Sequence, residues 1–479
     1  MLFNSFHFLL FFPIVTTLYF LVPHRFRWGI LLAASCYFYM AFIPQYILIL
    51  LVTITVDYFA GIGLETVQGN RKRWLLIASI LANIGMLAFF KYFNFANENL
   101  AALANFIGWN YPIENLEIIL PIGLSFHTFQ SLSYTIEVYR GNQKAERHFG
   151  YLALYVLFYP QLVAGPIERP QNILHQLHEE HRFEYQRVAD GLKWMAWGMF
   201  KKVVIADRMA LFVNPIYDYP IGYQGPALAL ATIAFAIQIY CDFSGYSDIA
   251  FGSAQVMGLR LMKNFQHPYF SKSISEFWRR WHISLSTWFR DYLYVPLGGN
   301  RGGPARTYRN LLIVFFLCGL WHGASWSFVV WGLFHGALLV VERAGGLRVL
   351  EALPSPLRRA YVLLAVLVGW VFFRSDTLAH ALDYLSAMLG IGNEGAINAA
   401  SHYWNRALAL VLLFGALGSF PLVPWIGERL ADLRERGGPA GLLGQTADVL
   451  AHALLLAILA ASAAWLAAGT HNPFIYFRF

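Results

Sequence analysis

The feature that most constrains this chain is the apolar stretch from Leu311 to Val341, LLIVFFLCGLWHGASWSFVVWGLFHGALLVV, which is long enough to cross a bilayer and carries His322 near its middle. About 20 apolar residues span a hydrocarbon core, and an ionisable side chain inside such a run is costly enough that a function is the first hypothesis. Gly319 and Gly323 flank Trp321 and His322. A helix here is expected to break, or to be closely approached, where the imidazole is held.

Of 479 residues, 58% are hydrophobic and 13% charged, against roughly 45–50% and 25% for soluble domains. Apolar runs recur from residue 6 to residue 468 with short polar gaps, which predicts an all-α, polytopic membrane protein folded as one membrane-embedded domain over residues 1–479. Lys and Arg exceed Asp and Glu by 35 to 27. In a membrane chain that excess belongs to cytoplasmic loops facing the lipid bilayer, and without a basic arm it gives no ground for a nucleic-acid partner. Cys36, Cys241 and Cys318 lie in apolar stretches without metal-ligand spacing, so neither a disulfide framework nor a metal site is expected. No Lys or Arg precedes Arg25, so the first apolar run lacks the charged start of a signal peptide and reads as a retained span.

Spans are expected near Phe6–Leu21, Gly29–Ile43, Tyr46–Leu64, Trp74–Phe93 and Ile118–Val138. Arg25 and Arg27 fall in the first gap and Arg71, Lys72 and Arg73 in the third, while the gap from Asn94 to Glu117 has Glu98, Glu114 and Glu117 with no Lys or Arg. The positive-inside rule then puts the N-terminus outside and the first and third loops in the cytoplasm. Tyr151–Ala164 is short for a crossing and is ended by Gly165 and Pro166, so it reads as re-entrant. Further apolar segments lie near Leu192–Val213, Ala227–Met257, Tyr361–Phe373, Leu408–Phe420 and Val449–Ala468. The charged stretch Glu428–Arg436 ends in a break at Gly437, Gly438 and Pro439, and the aromatic tail Pro473–Phe479 suits the membrane interface.

Lys272–Leu297, KSISEFWRRWHISLSTWFRDYLYVPL, interleaves Phe277, Trp278, Trp281, Trp288, Phe289 and Tyr292 with Arg279, Arg280, His282, Arg290 and Asp291. It reads as an interfacial or re-entrant helix. Asp242 and Asp248 lie inside an apolar segment, where carboxylates face protein or a water-filled cavity; a packing network bonded to nearby hydroxyls is the alternative reading. His127 and His335 read as structural. On a straight helix His335 would stand roughly 20 Å from His322.

A neutral imidazole at His322 can take a proton from a hydroxyl, which is what general-base catalysis of acyl transfer requires. A histidine hydrogen-bonded between helices is the alternative. Cys318, four residues before His322, allows a Cys–His acyl relay on one helical face, although a buried cysteine is ordinarily a small hydrophobe. Arg260, Lys263, Lys272, Arg279, Arg280 and Arg301 are candidates for the phosphates of a nucleotide-bearing donor such as coenzyme A, and positive-inside bias alone also places such residues.

Five segments, PIGLSFHTFQSLSYTIEVYRG at 121–141, QLVAGPIERP at 161–170, CDFSGYSDIAFG at 241–252, FWRRWHISLSTWFRDYLYVPLGGNR at 277–301 and LWHGASWSFVVWG at 320–332, occur in order with the FIYFRF ending. Together they resemble the membrane-bound O-acyltransferase family in its bacterial alginate O-acetyltransferase branch. The resemblance implies that His322 is the essential histidine and His282 a second functional polar position. Trp321, Trp281, Asp242, Arg279 and Arg280 are taken as candidate substrate-binding residues. It also implies a helical bundle around a central channel in the bacterial inner membrane. No bound cofactor is expected: acetyl-coenzyme A is the donor substrate, entering from the cytoplasm. The acceptor is an extracytoplasmic polysaccharide, alginate-like in the first instance, reached directly or through a periplasmic acetyltransferase-like partner protein. The competing class is a transporter or export subunit in which His322, Asp242 and Asp248 form a proton pathway; a third is a non-catalytic scaffold.

Overall fold

In a computed structural model of the protein, residues 1–420, 425–426, 429–430, 432–433, 438–467 and 474–475 are described. Among them there is no strand, only one isolated bridge between Tyr223 and Asn398. Six helices among the described residues are long and apolar enough to cross a membrane: Pro44–Thr66, Gly69–Phe106, Gly225–Met257, Trp326–Ala352, Ser355–Arg374 and Gly444–Trp465. The protein is an all-helical, polytopic membrane protein. Its residues form two compact units, Met1–Leu192 with Ala250–Met262, and Lys193–Ile249 with Lys263–Phe479.

The first unit holds helices α1 (Phe6–Leu21), α2 (His24–Met40), α3 (Ile47–Thr66), α4 (Gly69–Leu87), α5 (Phe93–Phe106), α6 (Leu124–Arg140), α7 (Phe149–Leu157), α8 (Tyr159–Leu162) and α9 (Pro170–His178). Helix α1 has the expected bounds because Ser5 caps its first turn, its hydroxyl accepting from Phe8 N, and Pro23 follows its end. The fourth span is longer than the apolar run suggested. A π-helical turn at Ala88–Tyr92 carries α4 into α5, so residues 94–106, expected in a loop, are helical. The Ala and Leu residues of this stretch favour the helix, and Asn94 and Asn97 donate to Leu116 O and Ile113 O of the segment that follows. Residues 152–168 are buried without exception, and Phe158 and Pro160 break the segment between α7 and α8. This matches the expectation of a short, embedded segment.

The second unit contains the C-terminal half of α10 (Tyr185–Met199), which passes through a π-helical turn at Phe200–Ala206 into α11 (Asp207–Asp218), and most of the 33-residue α12 (Gly225–Met257). Next come α13 (Ile274–Arg280), α14 (Ile283–Phe289), α15 (Pro304–His322), α16 (Trp326–Val341), α17 (Leu347–Ala352), α18 (Ser355–Arg374), α19 (Leu378–Met388), α20 (Arg406–Ser419) and a final helix α21 (Gly438–Ala467). Helix α21 begins at Gly438 with Pro439 in its first turn, the position where proline costs nothing. The charged stretch before it, 428–436, lies mostly outside the described residues.

The stretch Leu311–Val341 is not one span. It folds as an antiparallel hairpin, α15 and α16, turning at Gly323–Ser325. The reason is steric. A Cβ on Gly319 would stand 2.3 Å from the Phe328 carbonyl oxygen, and one on Gly332 would stand 2.1 Å from the Phe315 carbonyl oxygen. The two backbones touch where side chains are missing, and a Cβ on Gly323 would collide with the Phe328 ring at 2.1 Å. Hydropathy alone reads the same for a crossing and for a hairpin of this length.

Two other expectations change. The amphipathic segment 272–297 is not a continuous helix: α13 ends at Arg280, Trp281 is extended, and α14 starts after His282. Its six named aromatic residues are all buried, so they face protein rather than headgroups. Of the aromatic tail, Phe474 and Ile475 are buried in the protein, at 0% and 4% exposure, while Pro473 and residues 476–479 lie outside the described residues.

Gly332→Val adds a branched side chain where the Phe315 carbonyl sits, so the hairpin must open. The expected result is a lower midpoint of thermal unfolding in detergent and loss of activity; an unchanged midpoint would contradict the packing described.

Candidate active site

Two buried histidines meet in the second unit. The rings of His282 and His322 are 6.5 Å apart, and the residues are 0% and 4% exposed. Each is delivered by a break in helical structure, and each break has a local cause.

For His282 the cause begins at the N-terminus of α13. Ser273 accepts from Glu276 N while the Glu276 carboxylate accepts from Lys272 N, a reciprocal cap. The buried Glu342 carboxylate accepts from Ile274 N, Ser275 N and the Ser275 hydroxyl, satisfying further donors of the same helix end. Arg280 closes the helix with a 2.7 Å pair to Glu276 and also donates to Gln266 O. Asn264 then starts the next helix. Its backbone carbonyl accepts from Ile283 N, and its side-chain oxygen accepts from Ser284 N at 3.1 Å and from the Ser284 hydroxyl at 3.0 Å. Between the two helices His282 takes left-handed backbone angles, φ 44° and ψ 56°. Only His267 shares this among the described non-glycine residues. Such conformations persist where the surroundings fix them, as at functional sites.

His322 is the last residue of α15, at the tip of the hairpin. Its ring is packed by Trp321 at 4.9 Å, Trp331 at 4.8 Å and Phe373 at 5.3 Å, all edge-on. Trp321 also lies 6.1 Å from the His282 ring, and Phe243 of α12 packs edge-on against His282 at 4.6 Å. Trp281 points away from the pair, into a stack with Phe277 and against Trp370 of α18 at 4.9 Å. Trp370 donates to the Tyr269 hydroxyl, which donates to Ala236 O of α12. The hairpin also brings His335 back toward the site: Trp331 lies 5.3 Å from the His335 ring as well as beside His322. The separation of roughly 20 Å expected on a straight helix therefore does not hold. The buried Trp331 Nε1 and Ser327 Oγ make no hydrogen bond to a described residue.

Beneath Phe243 lies a layer of buried charge. Lys202 pairs with Asp242 at 2.6 Å and Asp207 at 2.9 Å; Lys201 pairs with Asp248 at 2.6 Å and donates to Ser244. The second oxygen of Asp242 accepts from Ile475 N at 2.7 Å, and the neighbouring Phe474 ring packs on Phe243 and Tyr246. Asp242 is thus committed to Lys202 and the C-terminal segment. Lysines 201 and 202 were not singled out from the sequence; the signal was two adjacent lysines inside a segment otherwise able to enter the membrane.

A cavity of about 960 Å³ runs beside the hairpin. On α15 it is lined by Leu311, Val314, Phe315 and Cys318, so it climbs toward the tip and stops one turn short of His322. Its rim carries Arg279, Arg290, Arg343 and Arg348. Arg279 therefore lies at the cavity, whereas Arg280 is held by Glu276 and does not line it. Arg343 and Arg348, which follow the apolar stretch directly, complete a rim that sequence spacing did not reveal.

Removing one partner of a buried ion pair leaves the other charge uncompensated, at a cost of ~3–5 kcal/mol. Lys202→Met should therefore unfold at a markedly lower temperature than the native chain. Removing the charge of one of its two partners with Asp242→Asn in the same chain should recover part of the loss, and an additive further loss would contradict the pairing.

Residues 145–373 match the membrane-bound O-acyltransferase (MBOAT) family. Over the whole chain the protein is 38% identical to a probable alginate O-acetylase of Azotobacter vinelandii and 36% identical to one of Pseudomonas aeruginosa, each covered in full. It is 35% identical to a peptidoglycan O-acetyltransferase of Helicobacter pylori, across 78% of this chain and 77% of that one. With full-length similarity of this order and a helical membrane fold, the chain belongs to the membrane-bound O-acyltransferase family and is an O-acyltransferase.

Proposed function

We propose that the protein transfers acetyl groups from acetyl-coenzyme A toward the hydroxyls of an extracytoplasmic polysaccharide, with His322 as general base and His282 as its supporting polar group. The observation that carries this reading is the pair of buried histidine rings 6.5 Å apart, in a chain similar throughout to alginate O-acetylases. An alginate-like acceptor follows from those relatives. The peptidoglycan O-acetyltransferase relative keeps the acceptor within cell-envelope polysaccharides.

The chemistry asks little of the protein beyond position and a base. A nitrogen of neutral His322 takes the proton of the attacking hydroxyl as its oxygen bonds to the thioester carbonyl carbon. The carbon–sulfur bond breaks, and the thiolate of coenzyme A takes the proton from the imidazolium. A positioned base of this kind contributes about 10² to 10⁴ in rate. His282, held in its unusual backbone conformation, and Trp321, which packs beside both rings, fix the geometry. Trp281 supports them through Trp370. Cys318 sits at the cavity end nearest His322, so the donor arm passes it; direct attack by the acceptor needs no acyl-cysteine.

The cavity supports entry of the donor from the side carrying the arginines. Arg306 and Arg309 at the foot of α15 and Arg343 and Arg348 beyond α16 give that side its positive excess, which is the cytoplasmic side under the positive-inside rule. With Arg25, Arg27, Arg71, Lys72 and Arg73 on the cytoplasmic side the N-terminus is outside; the membrane is the bacterial inner membrane, and a periplasmic acetyltransferase-like partner receives or passes on the acetyl group. His322 lies 13 residues along α15 from Arg309, roughly 20 Å of helix. That depth lets a donor and an acceptor approach from opposite faces.

Purified protein supplied with acceptor or partner should release coenzyme A from acetyl-coenzyme A. His322→Ala should reduce that release by about 10² to 10⁴ with the protein still folded in the membrane, and His282→Ala should lower it; a fully active His322→Ala sinks the assignment. Replacing Arg343 and Arg348 together by Ala should raise the KM for acetyl-coenzyme A with kcat little changed. An unaltered KM would remove the rim from donor binding.

A further inference from the structure

The first unit contains a buried carboxylate that the acyl-transfer site does not use. Asp57 on α3 is 1% exposed and faces Ser79 and Asn83 on α4 and Thr135 on α6, each buried completely. The Ser79 hydroxyl donates to Asp57 Oδ1 at 2.6 Å and stands 3.2 Å from Thr135 Oγ1. Asn83 Nδ2 lies 3.0 Å from both carboxylate oxygens. Ser131, one turn before Thr135 on α6, approaches the same carboxylate without a well-formed hydrogen bond. Asn83 Oδ1 accepts no hydrogen bond from a described residue.

Charge is what this cluster lacks. Asp242 and Asp248 each have a lysine at 2.6 Å, but no Lys, Arg or His among the described residues forms an ion pair with Asp57. Helices α3 and α4 both belong to segments able to cross the membrane. An uncompensated carboxylate at such a depth is unfavourable by several kcal/mol, and hydrogen bonds from neutral groups offset only part of that. Around it stand oxygens of the kind that ligate hard cations: a carboxylate, two serine hydroxyls, a threonine hydroxyl and an amide carbonyl. One carboxylate among neutral oxygens balances a single positive charge, whereas a divalent ion would leave an excess.

We propose that Asp57, Ser79, Asn83, Ser131 and Thr135 bind a monovalent metal cation, sodium, which ties α3, α4 and α6 together. The ion takes the place of direct contacts: the Ser79 hydroxyl and the Asn83 amide, which donate to the carboxylate here, turn to offer Oγ and Oδ1 to it. The site is independent of the acyl-transfer reading, since none of its residues belongs to the histidine site.

The test is thermal unfolding of the full-length protein in detergent, followed by tryptophan fluorescence in sodium or choline chloride at equal ionic strength and pH. The midpoint should rise with sodium and saturate, by on the order of 2 °C once the ion is well above its dissociation constant. Asp57→Asn should abolish the dependence. Where that variant does not accumulate, Ser131→Ala should move saturation to higher sodium. Equal midpoints in sodium and choline overturn the proposal, as does a midpoint that follows pH and ignores sodium, which would assign the compensating charge to a proton. Superimposable sodium curves for native protein and both variants would overturn it as well.

Discussion

The close contact of α15 with α16 is the constraint on which the rest of the candidate site depends. Gly319 and Gly332 bring the two backbones together, and Gly323 accepts the Phe328 ring at the turn. Any side chain at these positions would separate the helices and remove the wall on which His322 sits. Because the turn falls directly after His322, the imidazole stands at a helix end and can face the His282 loop. A continuous helix would have held it against its own neighbouring turns.

The site is built against this hairpin from three directions. Helix α18 supplies Phe373 and Trp370, the α13–α14 junction supplies His282, and α12 supplies Phe243. Below Phe243 the lysine–aspartate layer fixes α12 to the segment before α11, and Asp242 holds the backbone of Ile475. Buried ion pairs are poor sources of net stability, but they allow few alternative arrangements. Here they fix the register of the helix that carries the ring packed on His282.

Much of this was legible in the sequence, for identifiable reasons. The bounds expected for the first span, Phe6–Leu21, are those of α1, and Tyr151–Ala164, ended by Gly165 and Pro166, was read as too short to cross. His322 stood out because an ionisable residue in an apolar run is rare, and Gly319 and Gly323 marked the break. The hairpin itself was not legible, since apolar residues look alike whether they face lipid or another helix. For the same reason Trp281, Trp288 and Phe474 were expected at the interface and are buried in the protein. The charge layer escaped because Lys201 and Lys202 are 40 or more residues from Asp248 and Asp242, and pairing at that separation is decided by packing. Asp242 was picked out correctly as an intramembrane carboxylate, but its commitment to Lys202 and Ile475 depends on chain segments far apart in sequence.

The central claim is that His282 and His322 act as one unit in a single buried site. It is tested most directly by a double-mutant cycle on coenzyme A release, comparing His282→Ala, His322→Ala and the double replacement in folded protein. Residues that act together lose their effects together, so the double variant should be no slower than His322→Ala alone. Independent losses that multiply in the double variant would contradict the account.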